Sequence, residues 1–349
     1  MLQPQHHSTS APEAATVAYP WSLATLPLDA LERDIVESVA YGERLGDAAA
    51  HHFSGRGKRL RGRLAIAVGL ALDAPEDRLL PTASAIELLH NASLVHAALQ
   101  DADRYRRGTP SIWAEFDKPT ALLLGDALIA SAFGSLGRSN SRHLGAATAT
   151  LARCVTGLAA GQCADGTGTP LERTVDGYER LARAKTGLLF ALAGELPWIQ
   201  HGGDALGRVA LRDSLALVGV AFQIFDDLAD VFGHKGRAVG SDLRCGRFSA
   251  AVLHHDLAQS RAPHPRPADA GQRPGVPVEV LAEEIRMGPG VPLAQQHMRA
   301  VLDEAAEVAG SLPKPVRQAV LGIAQDVEAM TTNMVGSTAP AAERRHSFR

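Results

Sequence analysis

The 349-residue sequence predicts an all-α protein, on three observations. Apolar residues recur three and four apart over long stretches, as in RLRGRLAIAVGLAL, SAIELLHNASLVHAALQ and PTALLLGDALIASAF. Aromatics make up only 5% of a chain that is 46% hydrophobic, so helix-forming Ala and Leu carry most of the apolar content. No pair of alternating segments joined by a hairpin turn stands out, which argues against βαβ or all-β architecture.

The elements follow in order. Residues 1–20 are polar and proline-bearing and read as a disordered tail. A single helical domain is expected over 21–335, with nearly continuous helical patterning from Trp21 to about His255. Residues 260–276, SRAPHPRPADAGQRPGV, form a Pro/Arg-rich loop. Helices resume around VPVEVLAEEIR and PLAQQHMRAVLDEAAEVAGSL. A last one is expected from Lys314 to about Met330, with Pro315 in its first turn, where no hydrogen bond is lost. Residues 336–349 are a short basic tail without a cysteine for lipid attachment.

The net charge of -3 gives no general attraction to nucleic acid or anionic membrane, so neither is expected as a partner. Cys154, Cys163 and Cys245 are too few and too scattered for a disulfide framework or a zinc site. With no leader-like N-terminus and no membrane-length apolar run in this reading, the expectation is a soluble, cytoplasmic protein.

The clearest chemistry lies in AFQIFDDLADVFG, residues 221–233. Asp226 and Asp230 are four apart and share a helical face, with Asp227 beside them. Three carboxylates this close repel one another unless cations sit among them. Hard oxygen ligands suit Mg²⁺, which commonly bridges to substrate phosphate. A merely solvated acidic face is opposed by Phe222, Ile224, Phe225, Leu228, Val231 and Phe232 on the same segment. Candidate anion ligands cluster elsewhere: Arg56, Lys58, Arg59 and Arg61 in GRGKRLRG, Arg104, Arg106 and Arg107 in RYRRG, Lys185 in RAKTG, and Arg237 and Arg247 beyond the acidic helix. Any one such cluster is ordinary surface charge; their joint presence with an acidic motif points to diphosphate.

Taken in order, GKRLRG, ELLHNASLVH, RRG, GDAL, the GQ of GQCAD, KTG, FQIFDDLAD and GSDL resemble the motifs of the trans-polyprenyl diphosphate synthases, over roughly residues 55–250. The resemblance implies an isoprenoid synthase-type helical bundle around a deep central cavity, usually a homodimer. It also implies three Mg²⁺ ions held on an allylic diphosphate between two Asp-rich motifs. Carried over by position, Lys58, Arg61, His90 and Arg107 are expected to bind isopentenyl diphosphate. Arg106, Lys185, Arg237 and Arg247 are expected on the allylic diphosphate, the last two replacing family lysines. Lys185, Thr186 and Gln223 would line the reacting centre. Asp101, Asp226, Asp227 and Asp230 are the expected metal ligands. Small residues at the places that floor short-chain cavities, Ala92 and Ser93, imply a product of about C20 (geranylgeranyl diphosphate).

One motif departs from the family. Where the resemblance calls for DDxxD after His96, the chain reads AALQD, so Ala97 and Ala98 replace two aspartates and Asp101 survives as the third. Three readings follow: a synthase with an impaired first motif, which the maintained remainder of the site favours; a non-catalytic regulatory subunit of a heteromeric synthase; or a terpene cyclase-like enzyme using mainly the second motif. The retained isopentenyl-site residues speak against the last.

Overall fold

The computed structural model describes residues 28–55, 57–106, 108–166, 174–233, 239–244, 249–259 and 276–337. The expected disordered tail 1–20 lies outside them, as does all of the expected loop but its last residue, Val276.

Helices α1 (Asp29–Ser38) and α2 (Glu43–Ser54) lead into α3 (Leu60–Ala71) and α4 (Glu76–Gln100). A hairpin of β1 (Tyr105–Arg106) and β2 (Thr109–Pro110) precedes α5 (Ile112–Glu115), α6 (Lys118–Gly137), α7 (Leu144–Gly166) and α8 (Val175–Ala182). A π-helical turn, Arg183–Gly187, joins α8 directly to α9 (Leu188–His201). Then come α10 (Ala205–Val231), α11 (Ser241–Arg244), α12 (Ala250–Ala258), α13 (Val278–Met287), α14 (Gly290–Val308) and α15 (Lys314–Ser337). The last helix outruns its expected end at Met330 because Thr331 and Met334 remain buried. It therefore also takes in the first two residues of the expected C-terminal tail.

Caps explain several helix starts. Asp117 accepts from the Thr120 N–H ahead of α6, Thr174 from Gly177 ahead of α8, and Asp204 from Gly207 ahead of α10. The only strands among the described residues pair Tyr105 with Pro110 and Arg106 with Thr109, across a turn where Gly108 sits at φ 81°. So short a pairing leaves no periodic signal in sequence.

The bundle centres on α4, flanked by α3, α6 and α9, and on α10, flanked by α9 and α14. Leu64, Leu88, Leu124, Phe190, Leu215 and Ile224 are fully buried where these helices meet. Each such side chain contributes about 1.5–3 kcal/mol of burial. Helix α6 is long and apolar enough to cross a membrane, which the sequence reading had not recognised. Its inner face, Ala121, Leu124, Leu128 and Ala132, is instead buried in the protein core.

Candidate functional site

Helix α10 carries the acidic motif, and the structure divides its three carboxylates. Asp226 is half-buried, whereas Asp227 and Asp230 are only 4% and 2% exposed. Asp226 and Asp230 lie four apart on the continuous helix, and the packing on α10 covers 227 and 230 more deeply than 226. Asp227 accepts at Oδ2 from the Tyr178 hydroxyl and the Ala250 N–H, both at 2.8 Å, and at Oδ1 from the Gln223 amide, also at 2.8 Å. Since Ala250 is the first residue of α12, the carboxylate also faces the positive end of that helix. Burial, and then the neighbouring Asp227 charge, push the Tyr178 hydroxyl well above its ordinary pKa, so it stays a donor. Asp230 accepts from the Asp242 N–H at 2.9 Å and so secures the 239–244 segment.

The KTG motif forms the π-helical turn before α9. Such turns widen the helix and often mark functional positions. Gly187 and Gly219 let this turn and α10 approach closely: a Cβ on Gly219 would lie 2.7 Å from the Gly187 Cα. The approach brings the Thr186 hydroxyl onto Gln223 Oε1, and Gln223 in turn donates to Asp227. Thr186, Gln223 and the acidic motif are thus one hydrogen-bonded unit, while Lys185 is half-buried on the same turn.

Of the expected isopentenyl-site residues, Lys58 and Arg61 reach α10 and His90 meets Arg61. Arg61 lies 5.3 Å over the Phe190 ring and 5.8 Å over Phe222, and Lys58 lies 5.5 Å over Phe225. Phe222 and Phe225 flank Gln223 and precede Asp226, so the cations stand beside the acidic motif. Arg61 Nη1 is 3.2 Å from His90 Nε2. A guanidinium can only donate, so that imidazole nitrogen accepts and the ring proton belongs on Nδ1.

The altered motif closes α4. Asp103 N–H donates to the Ala98 carbonyl at 3.0 Å and Ala102 N–H to Leu99 at 3.4 Å, with Ala102 at φ 54°. This pattern ends the helix with a left-handed residue, and here alanine takes the place usually given to glycine. Asp101, the cap, still bonds through N–H to the Ala97 carbonyl, so positions 97 and 101 share a face. Ala97 is half-buried and Asp101 exposed, but Ala98 is 3% exposed and faces the interior. His96 turns onto α6, 3.2 Å from the Leu122 carbonyl and 3.6 Å from Asp126, in space that only Gly125 leaves open. That contact accounts for the GD of GDAL. Arg106 lies 4.0 Å from Asp103, and Arg104 stacks on Trp113.

Arg107, Arg237 and Arg247 lie outside the described residues. Ala92 is 1% exposed and Ser93 half-buried, with its hydroxyl on the His90 carbonyl. A small cavity of about 10 Å³ lies farther along α4, around Thr82, Pro197 and Gln200, and neither Ala92 nor Ser93 lines it. Sequence reasoning missed Tyr178 and the Ala250 N–H as supports. Tyr178 could have been found as a tyrosine two helical turns before Lys185; the backbone donor leaves no signal.

Asp226 and Asp101 are hard oxygen donors suited to a divalent cation. Among the described residues no three His, Cys, Asp or Glu side chains converge into a closed cage. The donor set therefore fits cations shared with substrate phosphate oxygens, with one or two carboxylates supplied by protein.

Residues 42–264 match the polyprenyl synthetase family. A geranylgeranyl pyrophosphate synthase of Geoglobus acetivorans is 33% identical over 216 residues, 60% of this chain and 68% of that protein. The solved structure of a geranylgeranyl pyrophosphate synthetase from the same archaeon superposes with a TM-score of 0.74 at 27% identity, over 85% of this chain and 96% of that one. A polyprenyl synthase from Caulobacter crescentus, complexed with calcium and isoprenyl diphosphate, gives a TM-score of 0.74 at 25% identity, over 86% and 93%.

Proposed function

The chain belongs to the polyprenyl synthetase family, and from that premise we propose that it joins isopentenyl diphosphate to an allylic diphosphate, with a first metal motif weakened at Ala97 and Ala98. The observation that carries this reading is the approach of Lys58 and Arg61, with His90 against Arg61, to the helix α10 that bears Asp226 and the Gln223–Asp227 part of the Thr186–Gln223–Asp227 unit. A cationic clamp and a metal-facing carboxylate in one place are what two diphosphates require.

In the reaction, the allylic C–O bond breaks and its electron pair leaves with the diphosphate. The isopentenyl double bond then forms the new C–C bond to the allylic carbon, and loss of a proton restores a double bond. Mg²⁺, when bound, supplies positive charge against the leaving diphosphate. Lys58, Arg61, His90 and Arg107 hold the isopentenyl diphosphate. Arg106, Lys185, Arg237 and Arg247 hold the allylic one. Asp226 and Asp101 are the more open carboxylates that would hold the ions. Asp227 and Asp230 act by keeping α10 in place, so their part in metal binding is indirect. Thr186 and Gln223 fix the wall against which the allylic carbon reacts.

A product near C20 accords with the small Ala92 and Ser93 and with the relatives that are named geranylgeranyl diphosphate synthases. Leu122 and Leu123 on the outer face of α6 are 50% and 58% exposed, which supports a homodimer in which a second copy covers them. Free thiols at Cys154 and Cys163 accord with a cytoplasmic setting.

The test is a paired assay of the unsubstituted chain and of Ala97→Asp/Ala98→Asp, each with Mg²⁺, isopentenyl diphosphate and an allylic diphosphate. Elongation by the restored form, at least about a thousandfold faster than by the unsubstituted chain, is the expected result. Equal rates would show that Asp101 and the second motif suffice. No elongation by either would favour a partner-dependent subunit.

A further inference from the structure

Between Lys58 and Arg61 sits Arg59, which neither the chemistry above nor the acidic motifs use. Its backbone is left-handed, at φ 47° and ψ 38°, a conformation unfavourable for a side chain of this size. Its carbonyl nevertheless opens α3, accepting from the Arg63 N–H at 2.9 Å. The side chain is turned inward and only 2% exposed. Its Nε donates to Glu32 Oε1 at 2.8 Å and its Nη2 to Glu32 Oε2 at 3.1 Å, a two-pronged pair. The guanidinium also lies 5.4 Å over the Phe53 ring. Glu32 belongs to α1, outside the stretch that matches the family.

We propose that the Glu32–Arg59 pair is a positioning device for the isopentenyl diphosphate clamp: it holds the left-handed turn that aims Lys58 and Arg61 at α10. The inference rests on the clamp assignment made above. Residues 58 and 61 lie on either side of the turn, so its backbone angles fix the directions of both cations at once. A strained residue persists only where its surroundings over-determine it. Here α1 supplies the carboxylate and α2 the ring, while the start of α3 requires the carbonyl. Removing the carboxylate leaves a buried guanidinium seeking another partner, and the turn is then free to relax.

The experiment is calorimetric binding of isopentenyl diphosphate and, separately, of a thiolo analogue of geranyl diphosphate with Mg²⁺, using the full chain. The variants are Glu32→Gln, Arg59→Gly, their combination, and Lys58→Ala as the benchmark. Glu32→Gln and Arg59→Gly are each expected to weaken isopentenyl diphosphate about tenfold while the allylic analogue changes less than about twofold. The combination should be no worse than either alone, because one device is lost once. Arg59→Gly keeps the backbone angle accessible without the pair, so it remains informative if Glu32→Gln folds poorly. If both diphosphates weaken equally, or neither does while Lys58→Ala loses isopentenyl diphosphate, the pair is only structural and the inference falls. If Lys58→Ala binds normally, the clamp assignment itself is wrong, and the inference falls with it.

Discussion

The two acidic motifs stand at the ends of two long helices, and they are held in different ways. Around Asp227 and Asp230, side chains and backbone donors from α8, α11 and α12 all close on α10 carboxylates. At the end of α4, the chain turns on backbone hydrogen bonds from Ala102 and Asp103 to Leu99 and Ala98, and the Trp113 N–H and Arg106 close on Asp103 rather than on positions 97 and 98. Replacing carboxylates in the first region would remove supports of the fold; having alanines in the second costs the fold nothing visible. The first motif can therefore lose its charge while α4, His96 and the Arg106 hairpin keep their places. The comparison teaches that a maintained scaffold is no proof of a maintained metal clamp.

The sharpest way to break that comparison is to restore the two alanines one at a time. Ala97 is half-buried on the face of Asp101, so Ala97→Asp alone should recover most of the roughly thousandfold gain, about 4 kcal/mol of barrier. Ala98 faces the interior, so Ala98→Asp should recover less than about tenfold and cost on the order of 2 kcal/mol of stability for a poorly solvated carboxylate. Elongation rates and denaturant midpoints of the two single variants decide. Equal rescue by Ala98→Asp would mean that the end of α4 opens more than its burial indicates.

A smaller effect separates the neighbours on α10. Asp226→Asn, in the Ala97→Asp/Ala98→Asp background, should lower the elongation rate by about a hundredfold or more while leaving the melting temperature nearly unchanged. Asp227→Asn should cost about 2–3 kcal/mol of stability, because an amide cannot accept from Tyr178, Ala250 and Gln223 together as a carboxylate does. If Asp226→Asn proves the more destabilising of the two, the division of the motif is reversed.

How much of this was legible in the sequence depends on what each residue needed from its neighbours. Helical class was legible because apolar spacing is a local property, and RLRGRLAIAVGLAL and PTALLLGDALIASAF both became helices. The clamp residues were legible only through ordered motifs, since nothing in GKRLRG itself says that Phe190 and Phe222 will lie under Arg61. The unequal burial of 226, 227 and 230 was not legible, because helical spacing gives relative directions, whereas burial depends on which helices pack alongside. Residue 227 could be placed inside only once Tyr178 and Ala250, 49 and 23 residues away, were in position. The end of α4 was equally opaque: Asp101–Ala102–Asp103 contains no glycine to announce a left-handed turn.

The smallest expected effect concerns acid, and it should strike the braced region alone. His254 on α12 lies 3.0 Å from His297 on α14, and His297 lies 2.9 Å from Glu179, the residue next to Tyr178. Burial first, and then the neighbouring His297, push the His254 pKa down to about 4. Its unfolded pKa is about 6.5, so between these values the unfolded chain binds a proton that the folded chain refuses. Stability contributed by neutral His254 is thus complete above pH 6.5 and is lost as pH falls toward 4. Allowing for its partial exposure, the loss should be about 1–2 kcal/mol across that window. Denaturant midpoints measured from pH 7 to 4.5 should fall less steeply in His254→Leu than in the unsubstituted chain. The helices that carry Tyr178 and Ala250 are the ones this imidazole pair ties together, so acid should loosen the supports of Asp227 and leave the end of α4 as it was. A His254→Leu profile parallel to that of the unsubstituted chain would place the acid sensitivity elsewhere and remove α12 from the brace.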